Sequence, residues 1–112
     1  MNLKIRRIII FTSNLDTMET FYRDVLGLKV AGREDGWVDF DAGECRLALH
    51  ADGGKPGKRP PKIVFHSRDV AAARATLARR GAKMGKVVSA KTFDMCNGAD
   101  PDGNPFQVSS RP

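Results

Sequence analysis

The sequence predicts an α+β fold of two tandem βαβββ modules, whose curved mixed sheets form half-barrels around a cavity. Three observations lead to this prediction. The apolar pattern of residues 7–15 returns in the same order at residues 62–70. In each copy an apolar strand leads into a helical pattern that ends at a glycine. Three short runs typical of strands follow each helix, so the chain repeats one structural unit.

The first module covers residues 1–50. Residues 8–11 are all apolar, which is typical of a strand covered on both faces, and we expect this strand to be central in its sheet. The next pattern predicts a helix over residues 17–26 that Gly27 ends, because its apolar residues recur at helical spacing. Three runs separated by turn residues are predicted as strands, at residues 29–32, 36–41 and 44–50.

A linker and a second module follow. Residues 51–61 contain three Gly and three Pro without periodicity, which is typical of an exposed linker. The second module covers residues 62–112 and repeats the apolar strand, followed by an alanine-rich helix that Gly81 ends. Its later strands are predicted at residues 86–89, 92–97 and 105–109, with a turn-rich segment at 98–104 before the last. The whole chain, 1–112, is thus predicted to be one domain.

Each predicted module is a half-open sheet whose edges need a partner. The two modules can pair within one chain or across a dimer, and the sequence does not choose between these arrangements. Because pairing covers exposed edges, we expect a homodimer.

Composition limits the classes of partner. The net charge of +6 would suit nucleic acid, but the basic residues are scattered along the chain among 13 acidic ones, so we expect no nucleic-acid partner. The longest apolar run is far shorter than a membrane helix needs, and Met1 leads directly into strand-like sequence, so we expect a cytoplasmic protein without a membrane partner. Cys45 and Cys96 lie far apart and are interpreted as buried thiols.

Three motifs carry a resemblance to a known family. They are TFYRDVLGL at residues 20–28, the helix entry that begins at residues 68–73, and DPDGN at residues 100–104. In this order, on a duplicated βαβββ frame, they resemble the vicinal oxygen chelate superfamily, which includes glyoxalases, bleomycin resistance proteins and extradiol dioxygenases. The resemblance implies the glyoxalase/bleomycin-resistance-like fold. The motifs themselves are helix core and turn chemistry, so they indicate fold rather than activity.

The resemblance also implies four metal-ligand positions, where metal-using relatives carry His, Glu or Gln. In this chain they fall on Arg7, Ala48, Lys62 and Gln107, with Ile63 as the alternative to Lys62 if the register slips by one residue. Guanidinium and ammonium groups have no free lone pair and repel a divalent ion, and a methyl group has no donor. We therefore expect neither a metal ion nor another cofactor.

The same positions predict a binding site. Arg7, Lys62 and Arg46 would make it cationic and suited to a carboxylate or phosphate group. In the alternative interpretation these side chains extend to the rim or pair with Asp39, Asp41 or Glu44. Two further candidates are His50 and Trp37. His50 shares a strand face with Ala48, although a lone histidine at a strand end is more often a surface or capping residue. Trp37 would stack on a flat ligand if it points inward rather than Phe40, although core filling is the commoner use of an aromatic residue there.

The predicted function is metal-independent binding of a small molecule, for which an anionic group is one option. The ligand-binding residues would be Arg7, Arg46, Ala48, His50, Lys62, Gln107 and Trp37, and no catalytic residue is predicted. The alternative is a metal-dependent lyase, isomerase or dioxygenase of the same superfamily, with ligands such as His50, Gln107 and an acid. A nucleic-acid-binding module ranks last.

Overall fold

The structure is a computed structural model that describes residues 1–2, 5–52 and 60–112. The chain divides into two compact units, Met1–Pro56 and Gly57–Pro112. Each contains one sheet and one helical segment, so the fold is α+β as predicted. None of the helices in the described residues is long and apolar enough to cross a membrane.

Unit 1 is a four-stranded mixed sheet with one helical segment. The strand order is β1-β4-β3-β2, in which β1 runs parallel to β4 and the other neighbours are antiparallel. Its elements are β1 (Arg7–Thr12), α1 (Leu15–Thr20), a π-helical turn (Phe21–Val25), β2 (Lys29–Glu34), β3 (Trp37–Asp41) and β4 (Arg46–Ala51).

The helical segment covers one face of this sheet. Its buried residues Met18, Phe21 and Tyr22 form a core with buried strand residues, and the ring of Tyr22 lies 6.2 Å from that of Phe40. The segment ends in a wide turn, where the backbone N–H of Leu28 donates to the Tyr22 carbonyl at 2.9 Å. Gly27 permits this ending because its φ of 76° is strained for any residue with a side chain.

The first strand differs from its prediction. Within the sheet of unit 1, β1 is an end strand and not a central one. Its residues alternate in burial, with Arg7, Ile9 and Phe11 exposed on one face and Thr12 buried on the other. The apolar run therefore reflects an exposed apolar face and not coverage on both sides.

Unit 2 repeats the arrangement with one uninterrupted α-helix of ten residues. Asp69 caps this helix, since its Oδ1 accepts from the backbone N–H of Ala72 at 3.0 Å, and Gly81 follows the helix with a φ of 95°. The sheet order is β5-β9-β8-β6, and β7 also pairs with β8. The elements are β5 (Ile63–His66), α2 (Val70–Arg79), β6 (Lys83–Met84), β7 (Val88–Ser89), β8 (Asp94–Ala99) and β9 (Pro105–Ser109).

Two strand boundaries in unit 2 differ from the prediction. Of the strand predicted at residues 86–89, only Val88–Ser89 is a strand, β7, and a further short strand, β6, precedes the predicted range. Between β6 and β7 the Gly85 carbonyl accepts from Nε of Arg74 at 2.5 Å. Gly98, assigned to a turn from sequence, lies inside β8. Its lack of a side chain serves packing, because a Cβ there would lie 2.6 Å from Cζ of Phe106.

The DPDGN segment forms a closed turn before β9. Oδ1 of Asp100 accepts from the backbone N–H groups of Asp102 and Asn104, at 3.0 and 2.8 Å. The amide of Asn104 donates to Oδ2 of Asp100 at 2.9 Å, and both side chains are buried. This motif therefore has a structural role, as its turn chemistry predicts.

Both cysteines are free thiols, but only one matches its prediction. Cys96 is buried in β8, and this burial raises the pKa of its thiol. Cys45 is only partly buried, because it lies in the turn before β4, where its carbonyl accepts from the Ala42 N–H.

Candidate functional site

The strand register of unit 1 places the predicted site residues in rows on one face. His50 of β4 pairs with Phe11 of β1 and with Trp37 of β3. One step along the sheet, Ala48 pairs with Ile9 and Asp39, and the next row pairs Arg46 with Arg7 and Asp41. We call this the open face, defined by Arg7, Ile9, Phe11, Trp37, Asp39, Asp41, Arg46, Ala48 and His50.

A charged cluster lies at one end of the open face. Asp39 is 6% exposed and accepts from Arg7 through both oxygens, at 3.2 Å from Nε and 3.0 Å from Nη2. Nη1 of Arg46 donates to the same carboxylate at 3.1 Å. The two arginine side chains remain about a third exposed, at 32% and 31%. The carboxylate is thus enclosed by two guanidinium groups that still reach solvent.

The strand order explains why Ala48 is buried on this face. Because β4 lies between β1 and β3, the Arg7 side chain must cross β4 to reach Asp39. The β4 residue paired with Asp39 is Ala48, which is fully buried. A methyl group at this position leaves space for the guanidinium to pass above it, whereas a larger side chain would occupy the path.

Electrostatics keep this cluster charged. The hydrogen bond from Arg7 is the main cause that lowers the pKa of the Asp39 carboxyl, and the charges of Arg7 and Arg46 lower it further against the opposing effect of burial. The same hydrogen bond raises the pKa of the Arg7 guanidinium. Asp39 is therefore an anion at neutral pH and holds both guanidinium groups by charged hydrogen bonds.

An aromatic row lies beside the charged cluster. The ring of His50 lies between two others, with centroids 5.5 Å from Phe11 and 5.8 Å from Trp37. The Arg7 guanidinium carbon lies 5.8 Å from the centre of the Trp37 ring, within the range of a cation–π interaction. Phe11 is 51% exposed, so the row presents apolar surface. Arg7 thus joins the aromatic row to the carboxylate.

Unit 2 carries the other two predicted residues. Gln107 of β9 pairs with Asn97 and with Val64, and its Nε2 donates to Oδ1 of Asn97 at 3.0 Å. Nζ of Lys62 donates to the same oxygen at 3.3 Å, whereas Ile63 pairs with the buried Phe106. The side-chain oxygen of Asn97 therefore links Gln107 to Lys62 and not to Ile63. Asn97 was not among the residues predicted from sequence.

Comparison with known families identifies the chain. The family profile described as the Glyoxalase/Bleomycin resistance protein/Dioxygenase superfamily matches residues 4–108. The protein belongs to this superfamily. No curated protein matches the sequence.

Several solved structures share the fold of this chain at low sequence identity. A lactoylglutathione lyase from Agrobacterium tumefaciens has a TM-score of 0.79 and 21% identity, over 97% of this chain and 94% of that one. A glyoxalase/bleomycin resistance protein/dioxygenase from Nocardioides has a TM-score of 0.83 and 18% identity, over 97% of this chain and 83% of that one. TnmS3, an antibiotic binding protein from Streptomyces sp. CB03234, has a TM-score of 0.78 and 18% identity, over 96% of this chain and 94% of that one. These likenesses concern the fold alone.

The positions that the superfamily resemblance assigns to a metal do not fit one. Two nitrogens of Arg7 are bonded to Asp39, Ala48 has no donor atom, and Lys62 and Gln107 both bond Asn97. Among the residues that the structure describes, no three His, Cys, Asp or Glu side chains are grouped so as to hold a metal ion. The donor set favours anion contacts over metal coordination.

The structure thus brings five of the seven predicted residues onto one face, Arg7, Trp37, Arg46, Ala48 and His50. It also decides which aromatic residue of β3 faces the candidate site, because Trp37 lies on the open face and Phe40 is fully buried in the core. Of the three acids considered as partners for the arginines, Asp39 is the one that bonds them. Phe11 and Asn97 were missed. Alternation along β1 would have placed Phe11 on the same face as Arg7, whereas Asn97 lies beside Gln107 only through the register of β8 with β9.

Proposed function

We propose that this protein binds a small molecule without a metal ion, on the open face of unit 1. The observation that carries the proposal is the bidentate bond between Arg7 and Asp39. A guanidinium at the superfamily's first ligand position is held in place by a buried acid and keeps part of its surface in solvent. This is the arrangement of a preorganised polar contact and not of a metal ligand.

The surroundings of Arg7 support a binding role. Binding surfaces combine apolar and aromatic area with a few fixed polar groups, and here the Phe11, His50 and Trp37 rings adjoin the two arginines. We propose that the ligand contacts the five predicted residues on this face, which are Arg7, Trp37, Arg46, Ala48 and His50. Lys62 and Gln107 are proposed as further contacts within unit 2, where Asn97 orients both.

The similar structures include a precedent for such a role. One of them is an antibiotic binding protein, and another is a lactoylglutathione lyase, so the fold accommodates both binding proteins and enzymes. The residues of the open face favour the first class. A metal-dependent lyase, isomerase or dioxygenase is the alternative outcome of the test below.

The test is elemental analysis of protein purified without chelators. We expect less than one tenth of an equivalent of Zn, Ni, Mn or Fe per chain, and an unchanged melting temperature after EDTA, because no ion contributes to the native state. As a control, the sample is incubated with each ion before gel filtration. One retained equivalent, or a fall in melting temperature with EDTA, would contradict metal-independent binding.

We also propose a homodimer. Ile5 is 72% exposed and Val64 is 56% exposed, and large apolar side chains in contact with water favour association. We expect sedimentation velocity at micromolar concentration to give twice the chain mass of 12.3 kDa. The variant Ile5→Lys should shift the protein toward monomer, and a monomer in the unchanged protein would refute the proposal.

A further inference from the structure

We propose that the open face of unit 1 selects a planar aromatic ring that carries one carboxylate. The inference rests on the proposed function and adds the class of ligand. It combines two features that the structure places side by side, the aromatic row and the charge of the Arg7, Asp39 and Arg46 cluster.

The aromatic row accounts for the planar ring. Phe11, His50 and Trp37 belong to three neighbouring strands and point to the same face, with ring centres 5.5 and 5.8 Å apart. Rings at these distances interact with one another, and Phe11, which is 51% exposed, offers surface on which a further ring can pack. Ile9, which is 43% exposed in the next row, extends the apolar area.

The charged cluster accounts for the carboxylate. Asp39 uses Nε and Nη2 of Arg7 and Nη1 of Arg46. Each guanidinium has five N–H donors, and among the described residues no other acid bonds either group, so donors remain on both. Because Arg7 also lies 5.8 Å from the Trp37 ring centre, an acid attached directly to a stacked ring would meet these donors.

The balance of charge limits the ligand to one anionic group. Two guanidinium groups face one buried carboxylate, which leaves a single positive charge. Asp41 lies in the row of Arg46, but Lys29 pairs with it in register, so these two residues contribute opposite charges and leave the balance unchanged. Glu34 lies beside Trp37 in the aromatic row. Glu34 would repel an acid from the aromatic end, and this orients the ligand.

The experiment compares four matched compounds by calorimetric titration. They are 2-naphthoate, its neutral amide, its fully saturated carboxylate and naphthalene-2,3-dicarboxylate. We expect 2-naphthoate to bind about tenfold or more tightly than the amide and the saturated acid, because each lacks one of the two interactions. The dicarboxylate should gain nothing from its second charge. Trp37 is the only tryptophan, so its single indole N–H signal in NMR reports whether binding occurs on this face.

Variants separate the two features. Arg7→Met should abolish the preference for the acid over the amide, and Trp37→Leu should abolish the preference for the aromatic over the saturated acid. Arg23→Met is the matched control, since Arg23 bonds Glu19 and Asp24 in the helical segment, and it should change neither preference. Asp39→Asn leaves two positive charges and should make the dicarboxylate the better ligand.

The outcomes distinguish this inference from the proposed function. Equal affinity for the acid and the amide, or an unmoved Trp37 signal on binding, overturns the ligand class. If a thermal-shift library then finds another ligand whose affinity falls in Arg7→Met, the proposed function stands while the ligand class fails. If 2-naphthoate binds with the expected preferences only after a metal ion is added, both fail together.

Discussion

Replacing Gly98 with alanine should destabilise the protein by about 1–3 kcal/mol, the usual cost of excess volume in a packed core. A Cβ at this position would lie 2.6 Å from Cζ of Phe106 and 2.7 Å from Sδ of Met84. Phe106 is 1% exposed and packs edge-on against Phe65, so a shift of its ring would disturb buried contacts. Gly98→Val should lower the stability further, because its side chain is larger. Thermal unfolding measures the loss, at roughly 4–8 °C per kcal/mol for a domain of this size.

A matched control and a rescue test the cause. Gly32 also lies in a strand without a positive φ, and a Cβ there would meet nothing within 4 Å, so Gly32→Ala should leave stability unchanged or slightly raised. Phe106→Leu shortens the opposing side chain. Its cost should therefore be smaller in the Gly98→Ala background than in the parent, and simple additivity of the two losses would argue against the steric explanation.

Asp39→Asn should lower stability at neutral pH by about 1–3 kcal/mol, because the change removes a buried acceptor of charged hydrogen bonds. The asparagine has one acceptor oxygen where the carboxylate had two, and the two guanidinium groups then repel each other across it. Chemical denaturation at pH 7 measures the change. An unchanged midpoint would show that the cluster does not support the fold.

The effect of Asp39 should depend on pH in a defined direction. The folded-state pKa of this carboxyl lies below its unfolded value near 3.9, so its contribution is complete above that value and disappears as pH falls through the lowered folded-state pKa. The parent and Asp39→Asn should therefore differ most at neutral pH and converge below about pH 4. Arg23 also lowers the pKa of Asp24, but that carboxylate is exposed, and Asp24→Asn should have little effect at either pH.

A substitution of Ala48 tests the contact between Arg7 and Asp39 without changing a charged residue. The variant Ala48→Leu fills the space that the Arg7 side chain crosses, and it should separate Arg7 from Asp39 without altering either residue. Asp39→Asn should then cost less in the Ala48→Leu background than in the parent, because the main bond is already lost. Ala71→Leu, at an exposed position of α2, is the control for added volume and should leave the Asp39 effect intact.

Several features of the molecule could be predicted from sequence because they depend on neighbouring residues. The repeated apolar pattern predicted the α+β modules, and the spacing to Gly27 and Gly81 predicted where the helices end. The chemistry of residues 100–104 predicted a turn before the last strand. Alternation along β4 placed His50 on the same face as Ala48, since successive strand residues point to opposite faces.

The decisive contacts depend on residues that are distant in sequence. Asp39, Asp41 and Glu44 were equally plausible partners for the arginines, and only the strand order β1-β4-β3 makes Asp39 the residue that Arg7 reaches across Ala48. Gly98 has the sequence context of a turn glycine, but in the structure the side chains of Phe106 and Met84 occupy the space where its side chain would lie. Local sequence thus determined the order of helices and strands and the turns that end them. Tertiary structure decided which of them meet, because contact across a sheet depends on strand order and register.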